Sequence, residues 1–317
     1  MLIFKYNNLI HILVIQNNII TMNLNIPSIT TKINSNFLHK KKVDIFIKRD
    51  DLIHKIISGN KWRKLKYNFQ KAKEEGYNTV LSFGGVYSNH LHALSYAANK
   101  NQLHSIGLVR GDKSKKTSTL DFCIKQNMKL EFLDRSSYRV DKYSQKIMND
   151  LIKKFGSFYI IPEGGNNLLG VRGCEEIIAE FNHSFDYLCC AVGTGCTAAG
   201  LIRSMKKEQS FIGFCPFKKV HEQRNNILNF CHPQLYNNWE LIGDNHFGGF
   251  GKINSNLLKF ARQFNLEHNL QLDLVYMGKL FYSLFNLIEK DFFPKKTQIL
   301  VLHTGGNQGL KGFNFSY

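Results

Sequence analysis

Along the chain, short apolar runs rich in Val, Ile, Leu and Phe alternate with stretches of helical spacing, and glycine stands between the two. Thr79-Val80-Leu81-Ser82-Phe83 runs into Gly84-Gly85, Phe158-Tyr159-Ile160-Ile161 into Pro162-Glu163-Gly164-Gly165, Tyr187 to Val192 into Gly193-Thr194-Gly195, and Gln298 to Leu302 into His303-Thr304-Gly305-Gly306. Short continuous apolar runs predict strands buried on both faces, and strand-glycine-helix repetition predicts βα units with a parallel sheet. Leu91, Leu94, Ala97 and Ala98 follow Ser88-Asn89-His90 at helical spacing, and the segment from Gly173 to Phe181 carries Ile177, Ile178 and Phe181 in the same way. The class predicted is α/β. In open α/β sheets ligands bind outside the carboxyl ends of the strands, so four glycine turns there predict one shared site. No internal repeat or low-complexity linker marks a domain boundary.

Composition narrows the partners. A chain of 317 residues with 43% hydrophobic residues can bury one large or two medium cores, which excludes disorder of the whole. The 42 Lys and Arg against 24 Asp and Glu give +18, a balance that attracts nucleic acid, anionic membranes or anionic small molecules. The lysines are scattered rather than striped and no nucleic-acid motif accompanies them, so no specific nucleic-acid partner is expected. The bias toward Asn, Ile, Lys, Phe and Tyr is one that coding composition also produces.

Seven cysteines at 123, 174, 189, 190, 196, 215 and 231 lack the paired C-x-x-C spacing of zinc sites, and they read as reduced thiols of a cytoplasmic protein without a metal. The apolar part of residues 1–21 is too short and too broken by Asn for a membrane span. No small-residue cleavage site follows it. Met22 opens MNLNIPSITTK as an ordinary amino terminus would, so residues 1–21 read as an extension or a misread start.

Five stations carry chemistry. Lys61 stands in Ser58-Gly59-Asn60-Lys61-Trp62-Arg63-Lys64-Leu65. A lysine becomes a nucleophile when its amine is neutral, through desolvation, neighbouring cations or imine formation with a carbonyl cofactor, and Arg63 and Lys64 supply cations here. Alone, Lys61 reads equally as a solvated charge on a basic helix. Ala191-Val192-Gly193-Thr194-Gly195-Cys196-Thr197-Ala198-Ala199-Gly200 joins an apolar strand to a helix, and its backbone N–H groups, helix dipole and Thr hydroxyls suit a dianionic phosphate. It lacks the Lys of a Walker A loop and the G-x-G-x-x-G spacing of a dinucleotide fold. A ligand-free tight turn is the plain alternative.

In Gly84-Gly85-Val86-Tyr87-Ser88-Asn89-His90, N-capping accounts for Ser88 or Asn89 singly, but not for Ser, Asn and His together after two glycines. Tyr276, in Asp273-Leu274-Val275-Tyr276-Met277-Gly278-Lys279, is a general acid/base or a packing aromatic. Thr304 caps a turn or donates to a heterocyclic nitrogen.

In this order, from about Asp44 to about Gly306, the stations resemble the family that contains 1-aminocyclopropane-1-carboxylate (ACC) deaminase and D-cysteine desulfhydrase, within the tryptophan-synthase-β fold type of pyridoxal phosphate (PLP) enzymes. The family's G-N-K-x-R-K-L is matched by Gly59 to Leu65, its S-N-[HQ] by Ser88 to His90, and its [TG]-G-[SGC]-T-x-A-G by Thr194 to Gly200. Its V-Y-x-G-K is matched by Val275 to Lys279, and its H-T-G-G by His303 to Gly306. The resemblance implies that Lys61 holds PLP as a Schiff base, that Thr194, Gly195, Cys196 and Thr197 hold its phosphate, and that Asn89 contacts its phenolic oxygen. It further implies that Thr304 faces the pyridine nitrogen, that Ser88 lies near the substrate carboxylate, and that Tyr276 is the active-site tyrosine.

One position departs from the pattern. ACC deaminases usually carry Glu, and D-cysteine desulfhydrases usually Thr, where this chain has Met277. A thioether moves no proton, which argues against opening the ACC ring.

The expected fold is a two-domain tryptophan-synthase-β-like architecture, each domain a mostly parallel sheet flanked by helices. The larger domain takes residues 22–64 plus 182–317 and the smaller takes 65–181, and the family implies a homodimer. The expected activity is a D-cysteine desulfhydrase-like elimination from a small amino-acid substrate, giving pyruvate, ammonia and hydrogen sulfide. ACC deamination, or a PLP-fold binding protein without turnover, are the alternatives.

Overall fold

The computed structural model describes residues 22–218, 220–232, 238–306 and 308; the extension expected over residues 1–21 lies outside the described residues. Strands β1 (Thr30–Lys32) and β2 (Asp44–Lys48) flank helix α1 (Asn36–Lys41) and pair antiparallel. Helix α2 (Lys61–Glu74) then leads into β3 (Thr79–Gly85), α3 (Asn89–Lys100), β4 (His104–Arg110), α4 (Ser118–Lys125) and β5 (Lys129–Leu133). Two helices follow, α5 (Arg135–Asp141) and α6 (Gln145–Phe155), before the short β6 (Tyr159–Ile160) and α7 (Leu168–Ala179). Next come β7 (Tyr187–Ala191), α8 (Cys196–Ser204), β8 (Ser210–Phe214), α9 (Val220–Leu228) and β9 (Trp239–Ile242). The last described elements are α10 (Ser255–His268), α11 (Met277–Glu289) and β10 (Gln298–Leu302).

The strands form two sheets, in the orders β1-β2-β10-β7-β8-β9 and β5-β4-β3-β6. Every pairing but β1 with β2 is parallel, as the strand-glycine-helix repetition predicts. Both sheets are covered on both faces. In β7, Cys189 and Ala191 join Ile45, Ile47 and Ile299 in a core closed by Leu280, Phe281 and Leu284 of α11, whereas Leu188 and Cys190 join Leu300 and Leu302 against Ala198, Ala199 and Leu201 of α8. This is the period-two alternation of a strand with two apolar neighbours. In the smaller sheet Val80 and Val109 pack on α2 and α3, and Leu81, Phe83, Ile106 and Leu108 on Tyr138 and Leu151.

One predicted strand differs. Of the run from Phe158 to Ile161 only Tyr159 and Ile160 pair, at the sheet edge against Val80 and Leu81, and Ile160 faces outward.

Two close helix contacts set the geometry that follows. A Cβ on Gly173 of α7 would sit 1.7 Å from the Arg63 carbonyl of α2, and one on Gly200 of α8 would sit 2.6 Å from Cys174 Cβ of α7. Glycine at both positions lets α7 lie against α2 on one side and α8 on the other. The start of α2 therefore meets the start of α8.

Candidate active site

The helix that begins at Lys61 is anchored through the residue before it. The Asn60 side-chain amide donates to Thr197 Oγ1 at 2.8 Å, and its oxygen accepts from the Lys61 ammonium. Gly59 approaches the Thr304 carbonyl so closely that a Cβ would lie 1.7 Å from it, and its φ of +76° is a left-handed conformation besides. Only glycine suits both demands. The Asn60 N–H donates to the same carbonyl at 3.4 Å. Segments distant in sequence thus converge on Lys61: its own helix start, the turn after β7 and the turn after β10.

Burial, then the nearby Lys64 charge, lower the Lys61 pKa to about 7, against weaker upward pulls from Cys174, Asp273 and Cys190. An amine so shifted is neutral in a large fraction of molecules near neutral pH. Lys64 donates to the Gly164 carbonyl at 3.1 Å. Arg63 does not act as a neighbouring cation in this sense. It is buried between Asp50, 3.2 Å away, and Glu180, 2.9 Å away, and Glu180 also pairs with Lys48 at 2.9 Å. That ion cluster joins β2, the start of α2 and the end of α7.

The turn after β7 suits an anion. Seven of the described helices begin with a Ser, Thr, Asn or Asp whose side chain accepts from the first turn, but α8 begins at Gly195, φ +89°, with no side-chain cap. Thr194 Oγ1 beside it is buried and has no hydrogen-bond partner. A buried hydroxyl left alone is costly, and a phosphate oxygen at the helix start would satisfy it together with the uncapped amides. Cys196 differs in kind: its thiol points to the Gly165 carbonyl at 3.3 Å, so it offers this turn only its backbone. The Thr197 hydroxyl is already the acceptor from Asn60.

Ser88 caps α3, accepting from the Leu91 N–H at 3.2 Å. Asn89 Oδ1 accepts from Gln308 at 2.6 Å, and Asn89 Nδ2 lies 2.9 Å from where a Gly306 Cβ would be, so this turn meets the His303–Gly306 turn. His90 shares a hydrogen bond of 2.9 Å with Ser82 Oγ. Burial, then Lys61 and Lys64, push its pKa down to about 3.

Tyr276 is half-buried, with its ring and hydroxyl 3.5 Å from where a Gly193 Cβ would stand. Burial, with Asp273 and Glu163, raises its pKa above the ordinary phenol range. Met277 is fully buried, and its sulfur accepts from the Thr304 hydroxyl at 3.7 Å. The departure from the family pattern therefore touches the residue assigned to the pyridine nitrogen.

Two residues of the site had no role in the sequence reading. Asn60 is the bridge just described. Asp273 accepts from the amides of Val275, Tyr276 and Met277 at 3.0, 2.7 and 3.0 Å and so fixes the start of α11. An Asp just ahead of a helix start was the available signal.

Lys61, the Thr194–Thr197 turn and Thr304 are joined directly through residues 59 and 60; Asn89 reaches the Thr304 turn through Gly306; Tyr276 backs onto Gly193. An uncapped helix start, an orphaned hydroxyl and a lysine of lowered pKa together make the donor set for a phosphorylated carbonyl cofactor.

A family model described as "Pyridoxal-phosphate dependent enzyme" matches residues 27–219. A Pyrococcus horikoshii protein named "Putative 1-aminocyclopropane-1-carboxylate deaminase" is 32% identical over 84% of this chain and 85% of its own length. The Arabidopsis thaliana "Bifunctional D-cysteine desulfhydrase/1-aminocyclopropane-1-carboxylate deaminase, mitochondrial" is 30% identical over 84% of this chain and 73% of its own. The crystal structure of an ACC deaminase homologue superposes with a TM-score of 0.77 at 28% identity, covering 92% of this chain and 91% of that one. The fold seen here is shared with that structure.

Proposed function

The chain belongs to the pyridoxal-phosphate dependent enzyme family, and from that premise we propose that it eliminates the β-substituent of a small amino acid, D-cysteine foremost, to give pyruvate, ammonia and hydrogen sulfide. The observation that carries this reading is the Lys61 amine, brought to a pKa of about 7 and linked through Asn60 to Thr197 of the uncapped turn. Thr194, Gly195, Cys196 and Thr197 would hold the phosphate, Asn89 the phenolic oxygen and Thr304 the pyridine nitrogen. Bound PLP supplies an electron sink for the α-carbon of the amino acid.

Lys61 takes the α-proton, since an amine near neutrality serves both as base and, once protonated, as acid. Tyr276 keeps its proton at neutral pH because burial disfavours the phenolate, so it can donate to a departing thiolate. Ser88, at the mouth of the α3 helix start, would receive the substrate carboxylate. The Thr304 hydroxyl would face the pyridine nitrogen and leave it largely unprotonated, and the thioether of Met277 beside Thr304 has no proton to offer. That favours β-elimination over ACC ring opening.

Residues 22–64 plus 182–317 would form the larger domain, 65–181 the smaller, and two chains a homodimer. All seven cysteines are buried thiols, which supports a reducing, cytoplasmic setting. Among the described residues no helix is long and apolar enough to cross a membrane.

Assay of PLP-loaded protein with D-cysteine, L-cysteine, D-serine and ACC tests the reading. Pyruvate and sulfide from D-cysteine are expected. Release of 2-oxobutyrate from ACC alone would transfer the chain to the other activity, and binding without any product would make it a non-catalytic binding protein.

A further inference from the structure

Lys279 ends the Val275–Lys279 motif, and the reading above gives it nothing to do. It is 3% exposed, and its ammonium donates to two backbone carbonyls of the preceding loop, His246 O at 2.9 Å and Gly249 O at 2.8 Å. Each of these carbonyls already closes a turn. The Gly249 N–H donates to His246 O at 3.0 Å and the Lys252 N–H to Gly249 O at 3.1 Å. One buried cation therefore gathers the acceptors of two successive turns.

The loop needs such an anchor. Phe247, Gly248, Gly249 and Gly251 all have positive φ, at 52°, 94°, 130° and 69°, and glycine-rich backbone has many other conformations open to it. Three residues of α11 and its cap, spaced three apart, face the loop together. Tyr282 takes the Phe247 ring edge-on at 5.0 Å, Lys279 takes the carbonyls, and Tyr276 takes the Phe250 ring at 5.9 Å. Phe250 also stacks on Phe217 at 5.3 Å and is 52% exposed. Burying an ammonium against carbonyls alone carries a desolvation cost that an apolar side chain of similar size would not. Burial brings the Lys279 pKa down to about 8, with Asp273 pulling the other way.

We propose that Lys279 is a positioning residue whose ammonium fixes the two turns of the 246–252 loop and thereby seats Phe250 as a wall beside Tyr276. The consequence for substrate rests on the proposed role of Tyr276; the fixing of the loop does not.

Hydrogen–deuterium exchange of the PLP-loaded wild type, Lys279→Met and Lys279→Gln separates the two parts. In Lys279→Met the amides of residues 246–252 should exchange about tenfold faster, with β10 (residues 298–302) exchanging as in the wild type, and Lys279→Gln, which keeps a donor, should fall between. Unchanged exchange in the loop, or an equal rise in β10, would overturn the proposal, the latter by reducing Lys279 to a packing role. With an amino acid that turns over, Lys279→Met should raise KM severalfold with kcat within about twofold of the wild type, and Phe250→Ala added to it should cost nothing further. An unaltered KM would refute the wall. If no amino acid turns over at all, the function proposed above fails while the exchange result still decides the anchoring.

Discussion

The side-chain amide of Asn60 donates to the Thr197 hydroxyl at 2.8 Å while its oxygen receives the Lys61 ammonium. A single buried amide thus sets the lysine and the anion-binding turn relative to each other. Replacing it with alanine leaves the lysine without its acceptor and the turn without its tether, each a loss on the order of 1 kcal/mol. Asn60→Ala should weaken PLP binding by roughly tenfold or more, read by titrating cofactor and following its visible absorption. Unaltered affinity would mean that the amide is only packing.

Met277 lies against Thr304 with a sulfur-to-oxygen distance of 3.7 Å and no exposure. Met277→Glu puts a carboxyl there, close to the buried Asp273 carboxylate whose oxygen already accepts from the amide of residue 277. Two carboxylates in one buried site cannot both ionise readily, so the variant should lose a few kcal/mol of stability at neutral pH. It should also gain ACC ring opening relative to D-cysteine elimination. Denaturant unfolding and 2-oxobutyrate release check the two halves separately.

His90 binds fewer protons folded than unfolded between its folded pKa of about 3 and the ordinary 6.5. Its contribution is therefore complete above pH 6.5 and is lost as pH falls through that window. At about 1.4 kcal/mol per unit, wild type should lose about 2 kcal/mol more than His90→Gln between pH 7 and pH 5. Unfolding both proteins in urea at the two pH values, with saturating PLP, measures the difference. Equal losses would show that His90 is not held neutral.

Where one stretch of chain decides the outcome, the sequence is a good guide. β3, β7 and β10 are mostly apolar because helices cover both faces, and that reads directly as an apolar run ending in glycine. Tyr159 and Ile160 carry the same composition at an edge with one partner, and nothing local distinguishes an edge from a centre. Ser88 reads as a cap and is one.

The chemistry of Lys61 is not local at all. Its lowered pKa comes first from burial under segments remote in sequence, and of its two basic neighbours Lys64 acts on it while Arg63 turns to Asp50 and Glu180. The sequence places three basic residues in four positions; only the packing of α7 against α2 tells which charge is neutralised. The same holds for Lys279, whose partners are backbone carbonyls and leave no trace in residue types.

Borohydride reduction of the PLP-loaded protein, followed by digestion and mass spectrometry, tests the central claim most directly, because it converts a cofactor imine into a stable bond at the lysine that formed it. The account predicts a pyridoxyl adduct on the peptide containing Lys61, absent from Lys61→Met. An adduct on Lys64 or Lys279 instead, or none on wild-type protein that has bound PLP, would contradict it.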